Sequence, residues 1–481
     1  MTVLELVRNV AYAGTGLLGS GALGILVLVI VARTLGVEEF GVYGFAVNYV
    51  SLWSVVMDGG GVMIATREVA RRDGAGALRA LFTLKPALLL IALAGVTLGA
   101  WAGGFAPAVQ RVVLFQGLGA AAAACVVLAL AIFRRFEEFG TESAHLVTQR
   151  LLFGLLAVAV LVAGAGAAGV ALASACSWAL LVVPALWLLR RRHGVTWALD
   201  PAAVREHGGS VLRSAAPLVL ADALTQLHIR NGPVILHLAQ AGPAVGLYIA
   251  ARRLIEGLHL VPSAVGVALF PRFVAAWKES AQEGAVRLRV TLRFMGTVAL
   301  AVLIAGWLWA EEGVGLLFGS AYAPAGELVR IMLGALVFMM LNSVLTLTLI
   351  AMGRERGYAG ALGVAAGISV LFNFSLVRLL GAAAPAWSSL LSEVVLFSGC
   401  LLMLRREVKG FLPLAHWAVL LAGAVVALAA LTAVKQASPV VALVLTLAVV
   451  LGGFEVMSPI GFLQVLRQLG AQREFRRGRD L

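Results

Sequence analysis

Apolar residues run along the chain in long blocks, with polar and charged residues collected between them. A transmembrane helix needs about 20 mostly apolar residues. Fourteen blocks satisfy that length, near residues 10–32, 42–64, 84–102, 112–133, 146–164, 168–189, 214–238, 245–270, 291–310, 328–352, 358–377, 384–404, 413–434 and 438–456. The fifth and sixth are separated by the small-residue stretch Gly164 to Gly169, and the seventh is the most polar. The pattern predicts an all-α, polytopic integral membrane protein of about 14 transmembrane helices. Residues 1–192 are expected to form an N-terminal six-helix bundle and 193–406 a C-terminal six-helix bundle. Residues 407–458 add two transmembrane helices, and 459–481 form a basic cytoplasmic tail.

A short repeat supports the two-bundle division. The turn after the first block reads Glu39-Phe40-Gly41-Val42-Tyr43-Gly44-Phe45-Ala46. The turn after the seventh reads Ala244-Val245-Gly246-Leu247-Tyr248-Ile249-Ala250-Ala251. Gly and Tyr recur at an offset of 205 residues, which is six spans. Six is even, so the two halves run in the same sense, as in parallel repeats related by an axis along the membrane normal.

Composition sharpens the class. Of the 481 residues, 61% are hydrophobic and 13% are charged. That charged share is about half the usual one for a soluble domain, and the mean hydropathy is +0.98. A soluble enzyme and a disordered chain are both excluded. The net charge of +13 would suit nucleic acid in a soluble protein. Here it follows membrane topology, because Lys and Arg collect in cytoplasmic loops. With residue 1 inside, only Arg33, Arg111, Arg378 and Lys435 fall in outer segments, and both termini are cytoplasmic. The first block is too long for a cleavable signal. In the tail, Phe462, Leu463, Leu466 and Leu469 precede Arg473, Arg476, Arg477 and Arg479. The tail is either an interfacial basic helix on the anionic leaflet or a plain topogenic cluster. Cys125, Cys176 and Cys400 lie singly in apolar runs, without disulfide or metal spacing.

Basic residues inside spans include Arg150, Arg230, Arg252, Arg253 and Arg330, where charge is costly and faces a cavity or a partner. In the seventh span Asp222, Thr225, Gln226, Arg230 and His237 share an arc of about 140° at 100° per residue, with His228 off that face. Pro233 interrupts the hydrogen-bond ladder near the outer end. In the eighth, Arg252, Glu256, His259 and Ser263 share a face with Arg253 at its edge, and Arg252 and Glu256 have pairing distance. Arg230 and Arg252 both sit roughly 10–12 Å below the outer face at 1.5 Å rise per residue. Asn48, Ser51 and Asp58 share a face of the second span. Arginines in a low-dielectric cleft suit a phosphate or diphosphate, which guanidinium binds bidentately. The candidate diphosphate and sugar contacts are Arg230, Arg252, Arg253, Arg33, Gln226 and Asn48. The candidate coupling-ion or proton residues are Asp58, Asp222 and Glu256. The opposing reading is an ion-pair network that holds helices together. Arg33, at the end of the first span, is either a snorkelling anchor or a cavity residue.

Gly14-Thr15-Gly16-Leu17-Leu18-Gly19 matches a dinucleotide fingerprint but lies inside a span with no strand before it. Asn373-Phe374-Ser375 is a sequon within a span. There is no phosphate-binding lysine loop, zinc-type histidine pair or nucleophile elbow. No cofactor and no metal are expected.

The run Arg33-Thr34-Leu35-Gly36-Val37-Glu38-Glu39-Phe40-Gly41-Val42-Tyr43, then Asp58-Gly59 and Thr66-Arg67-Glu68, resembles the start of polysaccharide-biosynthesis flippases. These form the polysaccharide transporter branch of the multidrug/oligosaccharidyl-lipid/polysaccharide exporter superfamily. Gly246-Leu247-Tyr248-Ile249-Ala250-Ala251-Arg252-Arg253-Leu254, Pro262, Phe270-Pro271-Arg272, Phe318-Gly319-Ser320-Ala321-Tyr322-Ala323-Pro324-Ala325, Gly353-Arg354, Asn373 and Gly381-Ala382-Ala383 continue the resemblance in order. Around Ser388 to Glu393 the chain departs from the family pattern, and Glu393 is given no role. The resemblance implies two six-helix bundles, with spans 1, 2, 7 and 8 at a central cavity. It also implies outward movement of undecaprenyl-diphosphate-linked oligosaccharides by alternating access. The expected protein is thus a non-enzymatic flippase of a bacterial or archaeal cytoplasmic membrane. Its partners are membrane lipid, a polyprenyl-diphosphate-linked oligosaccharide and a polysaccharide polymerase. The competing functions are a cation-coupled multidrug exporter of the same fold and a membrane polymerase or ligase. Short outer loops disfavour the enzyme.

Overall fold

The computed structural model describes residues 3–68, 74–240, 242–258, 273–407 and 414–456. The tail 459–481, and with it the later part of the expected eighth span including His259, Pro262, Ser263 and the Phe270-Pro271-Arg272 run, lie outside them. Among the described residues the protein is helical, with no strand. Nine helices there are long and apolar enough to cross a membrane, so the chain is a multi-pass membrane protein.

The first two expected spans occupy one element, α1 (Val3–Asp58), interrupted at Gly36 by a non-helical backbone with φ 74° and ψ 176°. The second of them ends at Asp58 and not at residue 64. Gly59 and Gly60 adopt φ of 59° and 73°, a left-handed turn that glycine enters without steric cost. The chain then re-enters a short helix, α2 (Gly61–Glu68). Four long helices follow: α3 (Gly74–Ala102), α4 (Pro107–Arg135), α5 (Phe139–Val162) and α6 (Gly166–His193). The expected division between fifth and sixth spans therefore falls at residues 163–165. Next come α7 (Pro201–Ala239), 39 residues with Pro217 and Pro233 inside it, and α8 (Pro243–Leu258).

Contacts group the described residues into two units. The first comprises Met1–Ile249, Leu317–Ala321 and Phe372–Ala384, and the second the remainder. In the first unit, α7 is held in place at its beginning. Asp200 caps it by accepting from the Ala203 amide at 3.0 Å, and its own amide donates to Thr83 Oγ1 at 2.8 Å. Such a cap satisfies donors that the first helical turn leaves open. Trp197 stacks on Phe82 with ring centroids 4.8 Å apart and donates from Nε1 to the Phe82 carbonyl at 3.0 Å. Below them Leu81, Leu128, Ile132, Phe133 and Leu189 form a closed apolar cluster. The beginning of α7 is thus fixed to α3, α4 and α6 by burial as well as hydrogen bonds.

The second unit contains α9 (Ala281–Leu308), α10 (Ala310–Phe318), α11 (Ala325–Ala351), α12 (Glu355–Leu380) and α13 (Ala383–Glu407), with parts of α10, α12 and α13 assigned to the first. Two more helices, α14 (Leu414–Ala437) and α15 (Pro439–Val456), complete it. Ile304 and Leu308 of α9 pack against Leu431 of α14. Lys435 clamps the same junction through Glu312, the Leu308 carbonyl and the Trp309 ring. Glu393 accepts from the Asn342 amide at 2.7 Å, which accounts for a carboxylate buried to 8% exposure as a link between α11 and α13.

Candidate functional site

The site residues of the first unit sit on α1 and α7. Asn48 is 2% exposed. Its Nδ2 donates to the Gly44 carbonyl at 2.8 Å, which fixes the amide and turns Oδ1 outward. That oxygen accepts from Arg230 Nη1 at 3.3 Å. The Asn48 and Arg230 positions, read separately as polar points on two helix faces, are brought together.

Arg230 also marks a change along α7. Asp222, Thr225, Gln226 and Arg230 are half-buried, whereas every residue from Asn231 to His237 is buried. His237 accounts for the closed end: it stacks on Phe45 with centroids 3.7 Å apart, and Phe105 meets it edge-on at 5.9 Å. Asn231 Nδ2 takes the Leu227 carbonyl at 2.7 Å, in the stretch where Pro233 disturbs the ladder. Asn373 donates to Asn231 Oδ1 at 2.6 Å. The polar face of α7 therefore terminates at Arg230, with a packed plug beyond it. Toward the start of the helix, Gln226 donates to Asp222 at 3.4 Å.

Arg33 lies apart from this cluster. It is exposed, and its Nε donates to the Leu317 carbonyl at 2.9 Å. Beside it Phe40 and Phe318 lie 6.4 Å apart. The repeat glycines meet at the same end. A Cβ placed on Gly41 would stand 2.8 Å from the Gly246 nitrogen, and one on Gly246 would stand 1.9 Å from the Val37 carbonyl oxygen. The repeated Gly is thus a helix-to-helix contact that has no room for a methyl group.

In the second unit Glu256 accepts from both neighbouring arginines of α8. Arg252 Nε lies 2.9 Å from Oε1 and Arg253 Nη1 lies 2.8 Å from Oε2. The pairing expected between Arg252 and Glu256 thus includes Arg253 as well.

Asp58 ends α1 and caps α2, accepting from the Val62 amide at 3.3 Å. Its electrostatic neighbours are Asp222 and Lys85. Lys85 is the residue that sequence reasoning missed. It sits at the second position of the expected third span, where it counts as one more topogenic charge, yet its side chain is 0% exposed and its Nζ is 3.9 Å from Asp58 Oδ1. A lysine inside the boundary of an apolar run was the available signal.

The arrangement of helices is shared with known membrane transporters. The lipid II flippase MurJ in its inward closed conformation superposes with a TM-score of 0.75 at 11% identity, over 92% of this chain and 98% of that one. An inward-facing multidrug resistance MATE family transporter of the MOP superfamily gives a TM-score of 0.64 at 16% identity, over 83% of this chain and 98% of that one. The eukaryotic MATE transporter AtDTX14 gives 0.55 at 14% identity, over 83% and 96%. These likenesses define the fold. The family follows from the sequence: the model for the polysaccharide biosynthesis protein family matches residues 6–277. The chain belongs to that family. No curated protein matches it.

Proposed function

We infer that this protein is a flippase that moves a polyprenyl-diphosphate-linked oligosaccharide across the cytoplasmic membrane by alternating access, for surface polysaccharide biosynthesis. The observation that carries this is Arg230: a guanidinium within a membrane-spanning helix, at the end of a half-buried polar face and beside the fixed carbonyl of Asn48. A diphosphate cannot cross hydrocarbon without replacement of its hydration. A planar guanidinium supplies two parallel donors to it, in a setting where competition from water is reduced. Gln226 offers its amide to sugar hydroxyls, while Asn48, buried and bonded to the Gly44 carbonyl, holds the Arg230 guanidinium in place. Arg252 and Arg253 bring two guanidiniums to one stretch of α8. The family assignment and the fold shared with a lipid II flippase support the same reading. The substrate changes leaflet with no bond made or broken, so the protein is not an enzyme.

Purified variants in vesicles test it. Arg230→Ala is expected to lower transport of the lipid-linked substrate by roughly 10- to 100-fold, the range that loss of a charge-assisted contact implies, with normal insertion. Full activity would remove Arg230 from the site. A multidrug exporter is favoured only by the acidic Asp58 and Asp222 and by the MATE-like fold. It predicts drug sensitivity with intact surface glycan when the gene is deleted.

A further inference from the structure

The Lys85 ammonium is buried within the first unit, and among the described residues it has two oxygen neighbours, both from one residue. Nζ lies 3.4 Å from the Asp58 carbonyl and 3.9 Å from Asp58 Oδ1. An enclosed ammonium with such long contacts is an expensive way to join two helices. The place it occupies has a recognisable chemistry. Asp58 is the last residue of α1, so its carbonyl lies at the negative end of a helix dipole. The chain then breaks through left-handed Gly59 and Gly60, and a carboxylate stands beside that carbonyl. A broken helix that offers carbonyl and carboxylate oxygens is how membrane transporters hold a coupling cation. Asp222 of α7 adds a second negative charge.

We propose that Lys85 is a tethered cation that fills, at Asp58, the position a diffusible alkali-metal ion would otherwise take. The Asp58 position then needs no sodium, because the covalently attached ammonium neutralises it through the whole cycle. The surrounding groups fit that role. Cys125 of α4 is the other titratable neighbour of Lys85, and a thiol carries no charge at neutral pH. Ala215 of α7 closes over Gly60, at 3.2 Å from a Cβ built there. The glycine turn that follows Asp58 is therefore packed against α7. The meaning for coupling rests on the transporter reading above. The test reads cation binding alone, so it fails separately from any failure at Arg230.

The experiment is thermal unfolding of the purified full chain in detergent, titrated with NaCl against choline chloride at constant ionic strength. Wild type is expected to show no sodium-specific change in Tm that depends on Asp58. Lys85→Ala opens the position and is expected to gain a saturable rise of a few degrees with sodium, as for any ligand bound by the folded state alone. The gain should vanish in Asp58→Asn/Lys85→Ala. A Lys85→Ala protein that survives purification only in sodium supports the proposal equally. Three results overturn it: a sodium response of wild type that Asp58→Asn abolishes, a folded Lys85→Ala protein indifferent to sodium, or a Lys85→Ala protein rescued by Asp58→Asn and not by sodium.

Discussion

The side chains that matter most here are polar groups whose neighbours on other helices decide their role. Arg230 illustrates how far helical periodicity reaches. Spacing at 100° per residue places it with Asp222 and Gln226 on one face of α7, and the structure keeps that face half-buried. The partner on α1, Asn48 Oδ1 at 3.3 Å, is beyond the reach of any local pattern, since 182 residues separate the two. Lys85 shows the reverse. Its position at a span boundary reads as a topology signal, and only burial reveals it as the counter-ion of Asp58. One prediction belongs at this scale. Arg230→Lys is expected to recover only part of the transport lost in Arg230→Ala, because a point charge replaces a bidentate fork. Transport assays on matched protein amounts check it, and full recovery would mean that charge alone suffices.

Among the elements, the contact between α1 and α8 carries the clearest consequence. Eight residues of weak internal repeat mark a real contact: Gly246 faces the Val37 carbonyl, and a Cβ there would come to 1.9 Å. Gly246→Ala must push the two helices apart, at a cost of about 1–3 kcal/mol for overpacking. Gly209→Ala, with nothing within 4 Å of the added carbon, serves as the control and should leave Tm unchanged or slightly raised. Thermal unfolding of both decides the matter, and equal Tm values would show that the contact is not tight. The loop between α4 and α5 gives a pH prediction. Burial alone would raise the Glu138 carboxyl. Hydrogen bonds from Arg192 at 2.7 Å and from Thr141 outweigh it and hold the group below the usual carboxylate range. A depressed folded value contributes stability above the unfolded carboxylate value, about 4.3. It withdraws that stability as pH falls through the folded value. Glu138→Gln should therefore unfold at a slightly lower temperature than wild type at pH 7, and the difference should close in acid. A difference that persists unchanged down to the lowest pH at which both proteins stay folded would contradict this.

For the whole molecule, class was legible early and arrangement was not. A 61% apolar chain with blocks of bilayer length leaves little choice but a polytopic helical protein, and the family match covers residues 6–277. Which segments gather was hidden. Residues 317–321 and 372–384 belong with the first unit, through contacts such as Asn373 to Asn231. No periodicity announces pairings across such distances along the chain. The second span likewise stops at Asp58 because two glycines turn the backbone, although apolar residues continue to residue 64. Hydropathy registers burial preference, not backbone conformation.

The proposed function is carriage of a lipid-linked glycan between leaflets. The most direct measurement is the leaflet location of that intermediate in cells deleted for the gene, read with a membrane-impermeant sugar-modifying reagent. Complete repeat units are expected to be held on the cytoplasmic leaflet, released outward by the wild-type gene and far less by Arg230→Ala. Complete units accumulating on the outer leaflet of the deletion strain would contradict it, and would move the protein to a step after translocation.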